Sequence, residues 1–311
     1  MRYNFTEIDI KNITKAFGEE FYAGLADALE KYCGIWNLKI LSLVDYFSVN
    51  CIFICESRKF GDCVLKVSSN STEELTAEYN TLIEYQGRHH CEVYAADLAN
   101  GVILLEKITP GTRLKDEPSL NKRLCVFASL YNGLHIAPAD AEKYVGYTKK
   151  VSDRLEAMRN YAGRDKDKVM NFAKLYAQME KANKICVDLC GEYDKQMLLH
   201  GDMHYDNIIL GSGGYVLIDP QGFVGDPVFD IARYLLNEMG NMDESLQFVE
   251  KFTAMRAITV QLQSLTGVPY AAMEKCLFVD IVLLSCWEVT ACMEAEVDFE
   301  SIALAEYLLE H

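Results

Sequence analysis

Leu198-Leu199-His200-Gly201-Asp202-Met203-His204-Tyr205-Asp206-Asn207, followed after two short apolar runs by Leu217-Ile218-Asp219-Pro220, is the stretch on which the reading of this chain turns. Between the two segments stand Ile208-Ile209-Leu210, then Gly211-Ser212-Gly213-Gly214, then Tyr215-Val216-Leu217-Ile218. Apolar runs joined by a glycine-rich turn predict a β-hairpin. The hairpin is nearly symmetric about Gly213, so Asn207 and Asp219 are expected side by side at its open end. Opposed residues there have Cβ atoms roughly 5 Å apart. Asp202, in the loop before the hairpin, adds a second carboxylate. Two carboxylates and an amide oxygen are hard ligands that suit Mg²⁺ with attached phosphates.

Two other readings compete for these residues. His200, Asp202, His204 and Asp206 alternate as ligands on a strand would, and Gly-Asp-x-His also opens a metallophosphoesterase signature. Two-metal hydrolases need further ligands downstream. The chain has six His, and after His204 only the terminal His311 follows. A solvated polar loop without chemistry is the remaining alternative, and the hairpin registration speaks against it.

The pattern His-x-Asp-x-x-x-x-Asn followed by a strand-terminal Asp resembles the catalytic arrangement of the protein-kinase-like fold. Gly201 stands where protein kinases carry Arg, which points towards small-molecule kinases. Together with Leu-Ile-Asp-Pro-Gln-Gly-Phe-Val-Gly-Asp-Pro-Val-Phe-Asp at 217–230, the segment closely resembles the aminoglycoside phosphotransferases. Within them it is most similar to the streptomycin 6-kinase and hydroxyurea phosphotransferase branch. The two blocks cover about a tenth of the chain.

The resemblance implies an α+β, two-lobed fold, with a small antiparallel β-rich N-lobe and a larger, mostly helical C-lobe. It implies that ATP or GTP donates phosphate to a hydroxyl of a small molecule, an aminoglycoside of the streptomycin type, as in antibiotic resistance. Asp202 would orient that hydroxyl, and Asn207 and Asp219 would hold Mg²⁺. A strand Lys paired with a helical Glu would fix the nucleotide. Lys66, in Cys63-Val64-Leu65-Lys66-Val67, is the lysine inside the apolar strand runs, and a charge there demands a partner. Glu78 is the first choice and Glu74 the second. Main-chain groups near Glu106–Ile108 would read the base edge. Asp230 would bond back to the catalytic loop, whereas Asp226-Pro227 reads as a helix start. The glycine-rich loop of protein kinases is missing from Tyr46–Asn50. A metabolic kinase for a choline-like, sugar or amino-alcohol acceptor and a non-catalytic nucleotide-binding pseudokinase are the alternative functions.

Composition bounds the rest. At 311 residues, half of them hydrophobic, the chain has about two domains' worth of sequence. Met1–Lys15 is mixed and polar, so no signal peptide is expected. Cys276–Met293 is broken by Asp280 and Glu288 and reads as a buried helix rather than a membrane span. Eleven cysteines without Cys-x-x-Cys pairs fit a reduced, cytoplasmic setting, with Cys51, Cys55 and Cys63 as core residues and Cys186 and Cys190 one helical turn apart. Forty-six acids against thirty bases give a net charge of −16, which disfavours nucleic acid and favours a cationic acceptor. Acids such as Glu238, Asp243, Glu288 and Glu294 are candidates to face it.

Apolar positions 13, 17, 21, 25 and 29 predict one helix over 11–33. Three strands (38–45, 51–56, 62–67), a helix (72–86) opened by Ser71, and two strands (92–98, 101–106) follow. Helices are expected at 119–135, 150–160, 166–191, 227–239, 243–266, 270–294 and 299–310. His135 reads as a C-terminal capping residue. The composition change at 107–113 places the lobe boundary, giving 1–107 and 108–311.

Overall fold

A computed structural model describes residues 3–44, 50–68, 72–163, 171–291 and 297–311. The Tyr46–Asn50 stretch up to Val49, the Ser71 cap, the first residues of the 166–191 helix and Glu294 lie outside them. The chain divides into two compact units, Met1–Thr112 with Ile209–Asp219, and Arg113–Ile208 with Pro220–His311. The expected boundary at 107/108 thus differs by a few residues, and the hairpin belongs with the first unit. The reason is strand pairing, described below.

The first unit opens with helices α1 (Glu7–Phe17) and α2 (Glu19–Ile35), where one helix was expected. Gly18, at φ +91°, breaks them. Strands β1 (Leu38–Leu43), β2 (Asn50–Ser57), β3 (Gly61–Ser68), β4 (Val93–Asp97) and β5 (Val102–Glu106), with helix α3 (Thr72–Tyr85) before β4, complete its main body. The sheet is antiparallel in the order β1-β2-β3-β5-β4. Period-2 alternation sorts its residues. Cys51, Phe53, Cys55, Cys63, Leu65 and Val67 pack against Leu25, Leu29 and Tyr32 of α2. On the other face Ile103 and Leu105 meet Leu75 and Leu82 of α3, with Val64 against them. Lys66 follows Val64 by two and so points to the α3 side.

A second sheet in this unit has the order β10-β9-β6, from β6 (Pro110–Arg113), β9 (Ile208–Gly211) and β10 (Gly214–Leu217). The predicted hairpin is therefore present. Leu217 N donates to His89 O at 2.7 Å and accepts Cys91 N through its own carbonyl at 3.3 Å. Ile218 packs against the Leu75 cluster.

The second unit is helical, with α4 (Leu120–Leu134), α5 (Tyr147–Ala162), α6 (Phe172–Glu192), α7 (Ala232–Gly240), α8 (Phe248–Thr266), α9 (Tyr270–Thr290) and α10 (Phe299–Glu310). Helix α9 is buried on most sides. Among the described residues no helix is long and apolar enough to cross a membrane. A small sheet of β7 (Val145–Gly146), β11 (Phe223–Gly225) and β8 (Met197–Leu199), in that order, was not expected. It fixes the loop that starts at His200, since Phe223 pairs with Leu199.

Candidate active site

The expected site residues form a set of converging polar groups in each unit. In the first, Lys66 Nζ lies 2.7 Å from Glu78 Oε1 and 2.5 Å from Asp219 Oδ1. Lys66 and Glu78 are buried, while the Asp219 side chain is half exposed. Burial opposes the Lys66 charge, but the two carboxylates outweigh it and hold its pKa above the usual value. Burial pushes Glu78 up to about 7, Asp219 adds to the push, and Lys66 pulls the other way. Glu78, nearly two turns into α3, is thus the carboxylate that meets Lys66. Asp219 reaches the lysine from the left-handed region, at φ +62°, which Asp tolerates better than most side chains. Anchoring of Leu217 and Ile218 delivers it there.

Glu106, at the end of β5, accepts the N–H of Glu92 at 3.1 Å. With Ile108, His90, Gly211 and Val216 it lines a recess of about 190 Å³ in this unit. The connector residues therefore border a cavity.

In the second unit the organiser is Asp230. Its fully buried carboxylate accepts His200 N at 2.8 Å, Gly201 N at 2.7 Å and the His135 ring at 3.0 Å. Burial would push Asp230 up, but His135 and the Gly201 N–H hold its pKa below the usual range. His135 is the C-cap residue of α4, as expected, and its ring is in addition given to Asp230. Sequence reasoning missed that role, because the partners stand 95 residues apart.

From this anchor the loop folds on itself. Asp202 N donates to His200 Nδ1 at 3.2 Å, and Asn207 Nδ2 donates to Asp202 O at 3.0 Å. That bond uses the amide nitrogen of Asn207, which leaves its Oδ1 as the atom able to ligate a metal. His204 Nε2 and Arg233 Nε each lie 3.5 Å from the Asp202 carboxylate. Burial opposes ionisation of Asp202, yet His204 and Arg233 bring its pKa down to about 2. Asp206 pairs with Arg113 at 2.8 Å and Lys115 at 2.6 Å, and its N–H reaches His204 Nδ1. His204 and Asp206 thus shape the loop through these contacts. Asp226 accepts Val228 N at 3.0 Å as a helix-start cap.

Residues 51–269 match the family described as aminoglycoside/hydroxyurea antibiotic resistance kinase. The chain belongs to that family. This family member is 26% identical over 166 residues to streptomycin 6-kinase of Streptomyces griseus, covering 51% of this chain and 50% of that one. It is 24% identical over 228 residues to hydroxyurea phosphotransferase of Kitasatospora aureofaciens, covering 71% and 64%. It thus spans half to less than two thirds of the length of these curated relatives. Among solved structures, a choline kinase from Streptococcus pneumoniae superposes with TM-score 0.61 at 15% identity, over 91% of this chain and 96% of that one. Aminoglycoside phosphotransferase APH(4)-Ia superposes with TM-score 0.59 at 15% identity, over 92% and 97%. These likenesses establish the kinase-like fold: an antiparallel β N-terminal part and a mostly helical remainder.

Proposed function

We propose that this chain transfers the γ-phosphate of ATP or GTP to a hydroxyl of a small molecule. The observation that carries the reading is Lys66, buried on its strand and ion-paired to both Glu78 and Asp219. A buried lysine costs free energy unless paired, and its place on β3 before α3 is that of the nucleotide-fixing lysine in kinase-like enzymes. The family's relatives are named for streptomycin and hydroxyurea, so a streptomycin-type aminoglycoside is the first acceptor to test.

In this reading Lys66 holds the nucleotide phosphates and Glu78 holds Lys66. Main-chain groups of Glu106–Ile108 meet the base in the recess they border. Asn207 Oδ1 and the Asp219 carboxylate are hard oxygen donors of the kind Mg²⁺ takes alongside phosphate oxygens. When bound, the metal offsets charge on those oxygens. Asp202, with a pKa of about 2, is ionised at neutral pH and too weak a base to deprotonate a free alcohol. It accepts a hydrogen bond from the hydroxyl, aims it in line, and takes the proton as charge develops.

The test is nucleotide consumption across streptomycin, other aminoglycosides, hydroxyurea, choline and small alcohols, with two variants. Asp202→Ala is expected to lower kcat by about 10³-fold or more while nucleotide still binds. Asp219→Ala should remove the Mg²⁺-dependent part of nucleotide affinity in calorimetry. Unchanged turnover in Asp202→Ala would refute the reading. Nucleotide binding without transfer to any acceptor would favour the pseudokinase instead.

A further inference from the structure

Granted that phosphotransfer, the second unit carries a charge arrangement that bears on the acceptor. A recess of about 20 Å³ opens among α5, α7 and α9, lined by Lys150, Arg154, Arg233, Asp280, Tyr147 and Leu283 among others. Three of these charged residues are cations and one is an acid, in a chain whose net charge is −16. Arg233 ties the recess to Asp202, with Nε 3.5 Å from Asp202 Oδ1 and 3.2 Å from Asp280 Oδ2. Neither contact is aligned as a hydrogen bond. The buried atoms Arg233 Nε and Asp280 Oδ2 have no hydrogen-bond partner among the described residues, whereas buried polar atoms ordinarily have one.

Lys150 Nζ donates to the neutral Gln221 Oε1 at 3.1 Å and lies 3.9 Å from the centre of the Phe223 ring. No carboxylate of the described residues pairs with it. Arg154 lies over Trp287, 5.6 Å from its ring centre. Of the acids expected to face a polycation, Glu288 of α9 lies within electrostatic reach of Arg233. Glu238 is held by Arg123 at 2.8 Å and by the Tyr234 hydroxyl at 2.7 Å, and Asp243 binds the N–H of Ser245.

We propose that this recess takes an anionic group of the acceptor, a carboxylate or a phosphate, carried a few bonds from the hydroxyl that Asp202 orients. The recess is too small for a sugar ring, so only the charged tip of such a group would enter it. The Arg guanidinium offers the planar fork that carboxylate and phosphate oxygens accept. A streptomycin-type polycation, put first by the relatives' names, would instead meet Lys150 and Arg154 as like charges and should turn over less well than an anionic acceptor.

The charge on Lys150 gives the recess a pH dependence. Burial pushes its pKa down to about 8, Arg233 and Arg154 repel it further, and Asp280 and Asp202 pull the other way. Protonated Lys150 attracts the anion, so affinity should fall as pH rises from 7 to 9.

Ligand-observed magnetic resonance on the full chain, saturated with a non-hydrolysable nucleotide triphosphate analogue, tests this directly. The probes are lactate against lactamide, glycerol 3-phosphate against glycerol, and ethanolamine. At least one anion should bind about ten-fold tighter than its neutral counterpart, and the better anion tells carboxylate from phosphate. Lys150→Met should erase that advantage and Lys150→Arg should keep it. Equal binding of anion and neutral probe, tighter binding of ethanolamine, or anion binding untouched by both Lys150→Met and Arg154→Met would overturn the proposal. So would a lowered kcat of Lys150→Met with neutral acceptors, which would assign Lys150 to the transferred phosphoryl group. If Lys150-dependent anion binding persists while no acceptor elicits nucleotide consumption, the anion recess stands and the phosphotransfer reading falls.

Discussion

Gly201 sits at φ +80°, and a Cβ placed there would approach Phe223 Cδ2 to 2.5 Å. Both facts bear on the loop, because Gly201 N also donates to Asp230. Gly201→Ala should therefore cost about 2–4 kcal/mol, combining left-handed strain with overpacking. Urea unfolding would read it, and Phe223→Ala in the same chain should recover the steric part alone. A stability within about 0.5 kcal/mol of the parent would contradict the argument. At this scale the sequence was legible where chemistry is local. A single lysine in an apolar strand demanded an acid, and the acid was found nearly two turns into the next helix. It was opaque where partners are remote: Phe223 stands 22 residues from Gly201, and His135 reaches Asp230 from another helix. Pattern alone placed Asp202 and Asn207 in one loop, but the low pKa of Asp202 comes partly from Arg233, which no spacing rule selects.

Elements whose side chains alternate with a fixed period were legible, and shorter ones were not. Strands β1 to β5 fall within two residues of expectation because apolar and polar positions alternate along them, whereas β6, in the stretch read as the lobe boundary, was not expected. Strands β7, β8 and β11 have two or three residues each, too few to show a period. The break between α1 and α2 was hidden because apolar positions step by four straight across Gly18. Helix pairing was hidden as well. Glu238 on α7, a candidate for facing a cationic substrate, is buried and accepts Arg123 of α4 through both oxygens, at 3.1 and 2.8 Å. Removing one partner strands the other charge, so Arg123→Met should lower stability by about 3–5 kcal/mol. Replacing both, as Arg123→Met with Glu238→Met, should return much of that loss, since a packed apolar pair avoids the desolvation cost. Denaturant midpoints of the two singles and the double decide it. Additive losses would mean that the pair holds nothing jointly.

Over the whole chain, contiguity in sequence and membership of a folded unit part company. The first unit is built from residues 1–112 and then, nearly a hundred residues later, from 209–219. Composition marked the change near 107–113, but it could not show that the hairpin returns to the earlier unit, because that depends on backbone pairing with β6 and with the His89–Cys91 segment. A fragment of residues 1–112 should consequently be a poor domain. It lacks two of the three strands of its second sheet, which leaves β6 without its partner β9. It also loses the fully buried Leu217 and the packing of Ile218 against the α3 cluster, and Lys66 keeps only one of its two carboxylates. Burial of the two side chains alone is worth about 3 kcal/mol or more, a large share of the stability of a domain that size. Hydrogen exchange should find the β6 and 89–91 amides unprotected in the fragment. Appending residues 207–220 through a flexible glycine-serine linker should restore both protection and a cooperative thermal transition. A fragment that unfolds cooperatively at the same temperature with and without the appended hairpin would show that the hairpin is a guest of the first unit and not part of its fold.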